Sequence, residues 1–503
     1  MVATILSATN IGFDGQIIEV ECDSSRGLPN LQIVGLANKS IDEAKERVRS
    51  AIKNSHLDFP ASKVTINLAP ANLPKDGAQF DLPIALAILV VSGQLKEIQT
   101  KNALFAGELS LDGNLRPIRG AIHLAETAKN NGAISLFLPL ANADQAALVD
   151  GIDIIGVQSL GELYLHLKGE KTIAPTPHKI INTKKSKSNS TIDDIHGQKV
   201  AKRALTIAAA GHHNILFTGP PGTGKTMLAK ALVDLLPPLS LSEQIEVTKL
   251  HSLSGNGSTE KLEGRPFRAP HHTASHISLT GGGRNPIPGE ISLAHLGVLF
   301  LDELPEYPRA SLEVLRQPLE DKEIRISRAD SRVHFPANFM LVATQNPCPC
   351  GYFGDDLREC QCSTSQILQY QKKISGPLLD RIDMVIHVGR VPHEELLKKS
   401  QTNEADKVRL EISEARKIQQ ERYKDDTLCN ATLSSQNIKK QIEISDDVKN
   451  LLSKASKNIG LTTRSYFKII KVARTIADLE KAPNITTDHI SEALQYRSTS
   501  KSL

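Results

Sequence analysis

NILFTGPPGTGKTMLAKALVDLL, residues 214–236, decides how this chain is read. A short apolar run of strand type gives way to a loop with three glycines and two prolines, and then to apolar residues at helical spacing. A loop of this kind lets successive backbone N–H groups curl around a phosphate at the positive end of the following helix. Gly219, Pro220, Pro221, Gly222, Thr223 and Gly224 would form the cradle. Lys225 would reach the terminal phosphates of ATP and Thr226 would offer its hydroxyl to Mg2+.

Working outward, two more apolar stretches end in polar residues where a nucleotide would need them. GVLFLDE, residues 297–303, places Asp302 to hold magnesium and Glu303 to polarise an attacking water. FMLVATQN ends in Asn346, at the edge of a sheet where ligands collect. A buried strand with a capping acid pair, and a turn asparagine before Pro347, are the plainer readings of the same residues. Strands alternating with helical stretches from Ile192 to about residue 391 predict an α/β domain with a parallel sheet.

The rest of the chain divides around this unit. A length of 503 residues corresponds to roughly three domains. Residues 1–168 mix β-rich stretches (KVTINLAP, AISLFLPL) with helical ones (SIDEAKERVRSAIKNS, AIHLAETAKNNG). Residues 169–191 carry Pro, Ser, Asn and five lysines, the composition of a basic flexible linker. Residues 392–503 are charged and helical, with apolar spacing in DDVKNLLSKASK, TRSYFKIIKVARTIADLEK and TTDHISEALQYR. The longest apolar run, LPIALAILVV, is too short to span a bilayer and reads as a buried helix. The N-terminus lacks a secretory pattern, and four of six cysteines cluster, which suits a reducing compartment. A soluble cytoplasmic protein is expected. With 60 basic and 56 acidic side chains the net charge is only +4, so any polyanion-binding surface must come from local clustering.

Two local features offer such chemistry. LEDKEIRISRADSRVHFPANF, residues 319–339, alternates as a β-hairpin and carries Lys322, Arg325, Arg328 and Arg332. HISLTGGGRNPIPGE, residues 276–290, is a glycine-rich loop carrying Arg284. Local cationic clusters of this kind could hold a phosphate backbone such as that of DNA. An ordinary solvated hairpin is the alternative. CPCGYFGDDLRECQC, residues 348–362, holds Cys348, Cys350, Cys360 and Cys362, a candidate Zn2+ site, although the spacing within each pair is shorter than usual. Four reduced thiols in a tight loop are the alternative.

RPFRAPHHTAS, LTGGGRNPIPGEISLAHLGVLFLDELPEY, NPCPCGY and TRSYFKIIKVARTIADL together resemble the magnesium-chelatase-like AAA+ proteins of bacteria, the competence-protein ComM group, over nearly the whole chain. The resemblance implies an AAA+ phosphate-loop domain with a helix-2 insert and a helical lid. It also implies an arginine finger at Arg381, in LLDRID, acting on a neighbouring subunit's ATP, and a sensor arginine at Arg464. PKDGAQFDLP, residues 74–83, and AGELSLDGNLRPIRGAIHLA, residues 106–125, resemble the catalytic segments of Lon-type proteases, so the front domain is expected to be Lon-like, of the ribosomal S5 domain 2 type. Gln79 stands where that family has its serine and Ile122 where it has its lysine, which leaves neither nucleophile nor base. The implied function is an ATP-driven homohexameric DNA helicase or translocase, promoting branch migration of single-stranded, forked or branched DNA in natural transformation alongside recombination proteins. A magnesium-chelatase ATPase subunit and an AAA+ protein-remodelling chaperone are the alternatives.

Overall fold

The computed structural model describes residues 2–34, 39–71, 73, 75, 78–178, 191–254, 264–283, 286–327, 332–392, 394 and 403–497. Among them the front domain is a seven-stranded mixed sheet in the order β3-β4-β2-β1-β5-β6-β7. Its elements are β1 (Val2–Ile11), β2 (Asp14–Ser25), β3 (Asn30–Val34), α1 (Lys39–Asn54), β4 (Lys63–Ala69) and α2 (Asp81–Val91), followed by β5 (Ala103–Phe105), α3 (Ala121–Asn130), β6 (Ser135–Pro139), α4 (Leu140–Ala146), β7 (Asp153–Val157) and α5 (Leu160–Lys168). Residues alternate between the faces of each strand, so the sheet fills two cores. Ile5 and Phe105 face α1 and α2. Ala8 and Leu104 face α3 and α4. Every residue of α2 from Asp81 to Val90 is buried, as its apolar run requires.

Asp81 is a fully buried acid held by Arg47, whose Nε and Nη2 donate to it at 2.8 and 3.2 Å. Burial pushes its carboxyl up to about 6 against the pull of Arg47. Gln79 Nε2 donates to the Ala8 carbonyl at 3.0 Å, and Ile122 is fully buried in the second core. The two positions of the protease-like pattern are thus engaged in packing. Pro74, Asp76 and Gly77 of that pattern lie outside the described residues.

The first part of the expected linker belongs to this domain. Ile173 N–H donates to His166 Nδ1 at 2.9 Å, Thr176 N–H to the Ile154 carbonyl at 2.7 Å, and His178 Nδ1 lies 2.8 Å from the Ala147 carbonyl. Ile173, packed against the first core, and these hydrogen bonds dock the stretch. Residues 179–190, with four of the five lysines, lie outside the described residues.

The second unit is built on a five-stranded parallel sheet in the order β9-β10-β13-β8-β14. It runs through α6 (Lys199–Gly211), β8 (Ile215–Thr218), α7 (Lys225–Leu235), α8 (Leu241–Leu253), β9 (Phe267–Arg268), β10 (Val298–Leu301), α9 (Arg316–Asp321), the hairpin β11 (Glu323–Ser327) and β12 (Arg332–Pro336), β13 (Met340–Gln345) and β14 (Met384–His387). All four residues of β8 are buried, the mark of a parallel strand covered on both faces. Phe217 packs with α6, α7 and the C-terminal helices, while Leu216 joins Leu299, Leu341 and Ile382 on the other face.

The C-terminal helices α10 (Glu404–Tyr423), α11 (Asp446–Ile459), α12 (Thr463–Leu479) and α13 (Thr487–Gln495) share one continuous core with the sheet. Ile412, Leu452, Ile470 and Ile490 pack in the same cluster as Phe217 and Leu232. Each of α11, α12 and α13 starts at a Ser or Thr whose hydroxyl accepts from the third helical N–H. No helix among the described residues is long and apolar enough to cross a membrane.

Candidate functional site

β8 sits between β13 and β14, so its C-terminal end delivers the glycine loop to the C-terminal edge of the sheet, flanked by a strand on either side. Gly222 and Gly224 adopt φ of 78° and 84°, and a Cβ built on either meets nothing within 4 Å. Those positive dihedrals turn the loop's N–H groups together, and the open space above them is where phosphates fit. Gly219 is glycine for a different reason. A Cβ there would come 2.1 Å from the Val388 carbonyl, just past β14.

Lys225 opens α7, and its Nζ donates to the carbonyls of Gly219 and Pro220, both at 2.8 Å, and to Asn346 Oδ1 at 3.2 Å. Burial lowers its pKa, with Asp302 and Glu303 pulling the other way. Thr226 Oγ1 donates to Asp302 Oδ2 at 3.3 Å. Asp302 and Glu303 stand exposed at the end of β10. Glu303 has φ +51°, a costly conformation for a residue with a side chain, and such strain collects at working sites. Thr344 holds it there by accepting the Glu303 N–H at 2.9 Å while its own hydroxyl donates to Asp302. Three strand ends thus bring Lys225, Thr226, Asp302, Glu303 and Asn346 together around one loop. The hydroxyl and carboxylate oxygens of Thr226 and Asp302 suit Mg2+, which takes hard oxygen ligands.

The two arginines sit elsewhere. Arg381 Nε and Nη1 donate to the carbonyls of Arg316 and Pro377 at 3.0 and 2.7 Å, and its Nη2 lies 2.9 Å from Glu320 Oε2. Arg464 pairs with the other oxygen of Glu320. One carboxylate at the end of α9 therefore joins both guanidiniums, and neither is bonded to the phosphate loop among the described residues. Glu320 gave no sequence signal, because its partners are remote in sequence and lie on separate elements.

Next to Arg381, Asp383 accepts the Asn214 N–H at 2.9 Å and pairs with Lys468 of α12 at 2.8 Å. This ties the start of β8 to the C-terminal helices. Thr344, Glu320 and the Asp383–Lys468 pair are the residues that sequence reasoning missed. Of these, only Thr344 had a signal, since it lies two residues before Asn346 on an alternating strand.

The cation set assigned to DNA is dispersed. β11 and β12 pair antiparallel, with Arg325 opposite His334. Arg325 is 63% exposed and paired with Glu323. Lys322 stands at the root of the hairpin: it ends α9 with φ +60°, its carbonyl accepts the Ala337 N–H at 2.8 Å, and desolvation lowers the pKa of its half-buried amine. Arg284 and Arg328 lie outside the described residues, and of Arg332 only the strand backbone is described. The hairpin's apolar side is covered by the front domain. Val333, Phe335 and Ile326 cluster with Leu250 and Leu253 of α8 and with Ile11 and Phe13.

The four cysteines converge. Cys348 Sγ lies 3.3 Å from Cys350 and 3.6 Å from Cys360, Cys350 and Cys360 are 3.6 Å apart, and all four sulfurs fall within 4.8 Å of one another.

Residues 191–396 match the family model described as magnesium chelatase, subunit ChlI. Residues 20–142 match subunit ChlI of Mg-chelatase, and residues 402–497 match the ChlI C-terminal family. The chain is 43% identical over 501 residues to the competence protein ComM of Haemophilus influenzae, covering 98% of this chain and 97% of that protein. It is 40% identical over 496 residues to the uncharacterized protein YifB of Escherichia coli, covering 98% and 96%. Similarity to the magnesium-chelatase 67 kDa subunit of Heliobacterium mobile is 29% over 190 residues, only 32% of this chain and 28% of that subunit.

Proposed function

Because this chain belongs to the ComM/YifB family of magnesium-chelatase-related AAA+ ATPases, we propose that it is an ATP-driven DNA helicase or translocase. It works as a homohexameric ring, in the cytoplasm, and promotes branch migration when incoming DNA recombines during natural transformation. The observation that carries this reading is the end-to-end similarity to a competence protein, front domain included, joined to a complete nucleotide site. The higher identity to the competence protein, 43% over 98% of this chain against 29% over 32% for the chelatase 67 kDa subunit, favours this reading over the metal-insertion alternative. In this reading the front domain is a Lon-like tier without peptidase chemistry.

Each residue then has a task. The N–H groups from Gly222 to Thr226 and the Lys225 amine hold the phosphates, the amine exchanging its loop carbonyls for phosphate oxygens. Thr226 and Asp302 would hold Mg2+, which neutralises charge on the phosphate oxygens. Glu303, fixed by Thr344, accepts the proton of the attacking water, and Asn346 orients that water. Arg381 and Arg464 share one edge through Glu320 and serve the neighbouring protomer's ATP. Arg325, together with Arg284, Arg328 and Arg332, holds the DNA backbone without sequence preference, as the lack of an aromatic stacking platform in these loops implies. The cysteine cluster is a metal knot beside the nucleotide.

The test is ATP hydrolysis at low salt with and without single-stranded and forked DNA. Stimulation by DNA is expected. Turnover indifferent to both substrates refutes the reading.

A further inference from the structure

We propose that Cys348, Cys350, Cys360 and Cys362 bind one structural zinc ion that braces the phosphate loop and Asn346, so that nucleotide binding depends on the metal. This rests on the nucleotide site and not on DNA being the substrate.

The sulfur geometry is the first argument. A tetrahedral zinc with Zn–S bonds of about 2.3 Å sets its four sulfurs about 3.8 Å apart. The sulfur separations of 3.3, 3.6 and 3.6 Å approach that edge before any ion draws them into place. No pair among the four is joined as a disulfide. A cluster with several irons needs its cysteines spread around a larger body than a set confined within 4.8 Å. Four sulfur donors and no place left for water make a closed site, the structural type. Backbone support is present too, since the Phe353 N–H donates to Cys348 Sγ at 3.3 Å.

The loop also needs a staple. Residues 346–363 contain no helix or strand, and Leu357 is 77% exposed. Apolar burial alone cannot offset the ordering of such a segment.

What the staple would hold is the second argument. Cys348 lies two residues past Asn346, whose side chain receives the Lys225 amine. Gly351, inside the knot, has φ +86°, and a Cβ there would come 2.8 Å from Pro221 Cδ and 4.0 Å from Asn346 Cγ. The knot therefore presses on the phosphate loop from one side. On the other side Asp355 accepts from Arg390 at 2.8 Å, just beyond β14. One ion at the centre fixes the glycine loop, the sensor asparagine and the exit of β14 relative to each other.

The experiment measures zinc and iron per chain in the full-length protein purified without chelators, together with affinity for a fluorescent ADP analogue. One zinc per chain is expected. Cys360→Ser with Cys362→Ser should lose it and weaken the analogue by about tenfold, the scale on which supports around a site act. Far-UV dichroism confirms that this variant keeps its helices, and stripping zinc from the wild-type protein with a mercurial gives the same affinity loss without substitution. Wild-type protein free of zinc, or carrying iron instead, overturns the site. Zinc whose removal leaves nucleotide affinity unchanged overturns the brace. Neither readout uses DNA, so failure here is separate from failure of the helicase reading.

Discussion

Asp383→Asn tests how the C-terminal helices are held to the ATPase sheet. The native carboxylate is 8% exposed, accepts the Asn214 N–H and lies 2.8 Å from the Lys468 amine, itself 13% exposed. Burial alone would raise the Asp383 pKa, but attraction to Lys468 and His213 wins and holds it far below the usual carboxylate range. The asparagine keeps an acceptor for Asn214 but strands the Lys468 ammonium, with Lys322 and Lys471 adding repulsion nearby. Breaking a buried pair from one side costs about 3–5 kcal/mol. The protein has several units, so a single unfolding midpoint is the wrong measure. Hydrogen exchange along α12 reads the docking directly, and 3–5 kcal/mol predicts protection lower by roughly 10²–10⁴-fold. Adding Lys468→Met should recover most of it, because no charge is then left unpaired. In the native protein the depressed Asp383 contributes stability above its unfolded value of about 4, lost as the pH falls through the acid range toward the folded pKa. Exchange within threefold of native in Asp383→Asn, or no recovery in the double variant, refutes this account.

Arg381→Ala should lower steady-state ATP turnover by about 10³-fold or more while sparing nucleotide affinity. Mixing it with Lys225→Ala protein should restore part of the turnover if the arginine serves a neighbour; no restoration removes the action in trans. Glu320→Gln frees both arginines from a half-exposed carboxylate at roughly 1 kcal/mol, so ring assembly should need several-fold less ATP by sedimentation. An unchanged or higher requirement means that Glu320 only orients them. Arg325→Ala with Arg328→Ala should weaken single-stranded DNA and flatten the slope of log K against log salt by about 1.4, two phosphates' worth, with basal hydrolysis kept. An unchanged slope takes the hairpin out of the grip.

The nucleotide site was readable because its chemistry is concentrated in eight consecutive residues flanked by a strand and a helix. Asp302 and Asn346 followed because each ends a strand that must be apolar to lie in a parallel sheet. The misjudged residues are those whose neighbours come from far along the chain. Lys322 reads as a freely solvated hairpin cation by adjacency, yet its left-handed φ turns the chain out of α9 at the hairpin root and its amine is half-buried. The Glu320 junction and the Asp383–Lys468 pair were invisible for the same reason, since an ion pair between remote elements leaves no period in sequence. Ile173 and Thr176 looked like linker because single apolar residues among prolines carry no pattern, although one side chain and one backbone bond suffice to dock them.

The front domain is closely fitted to the ATPase domain. The β1–β2 turn lies on the hairpin, where Gly12 has φ +64° and a Cβ there would fall 2.2 Å from Val333 Cγ1. Lys249 of α8 sits 4.2 Å over the Phe13 ring and pairs with Glu126 of α3 at 2.6 Å. The turn thus needs glycine for two independent reasons, backbone dihedral and space, and the contact joins apolar burial to a charge pair. Since Ile326, Val333 and Phe335 alternate with Arg325 and His334, covering the apolar side leaves the polar side as the one open face of the described hairpin. A hairpin shifted by one residue would turn Arg325 and His334 onto the apolar contacts of Ile11 and Phe13, at a desolvation cost those contacts could not offset. The tier therefore fixes the register of the element that is proposed to touch DNA, a role that needs its shape and neither a nucleophile nor a base.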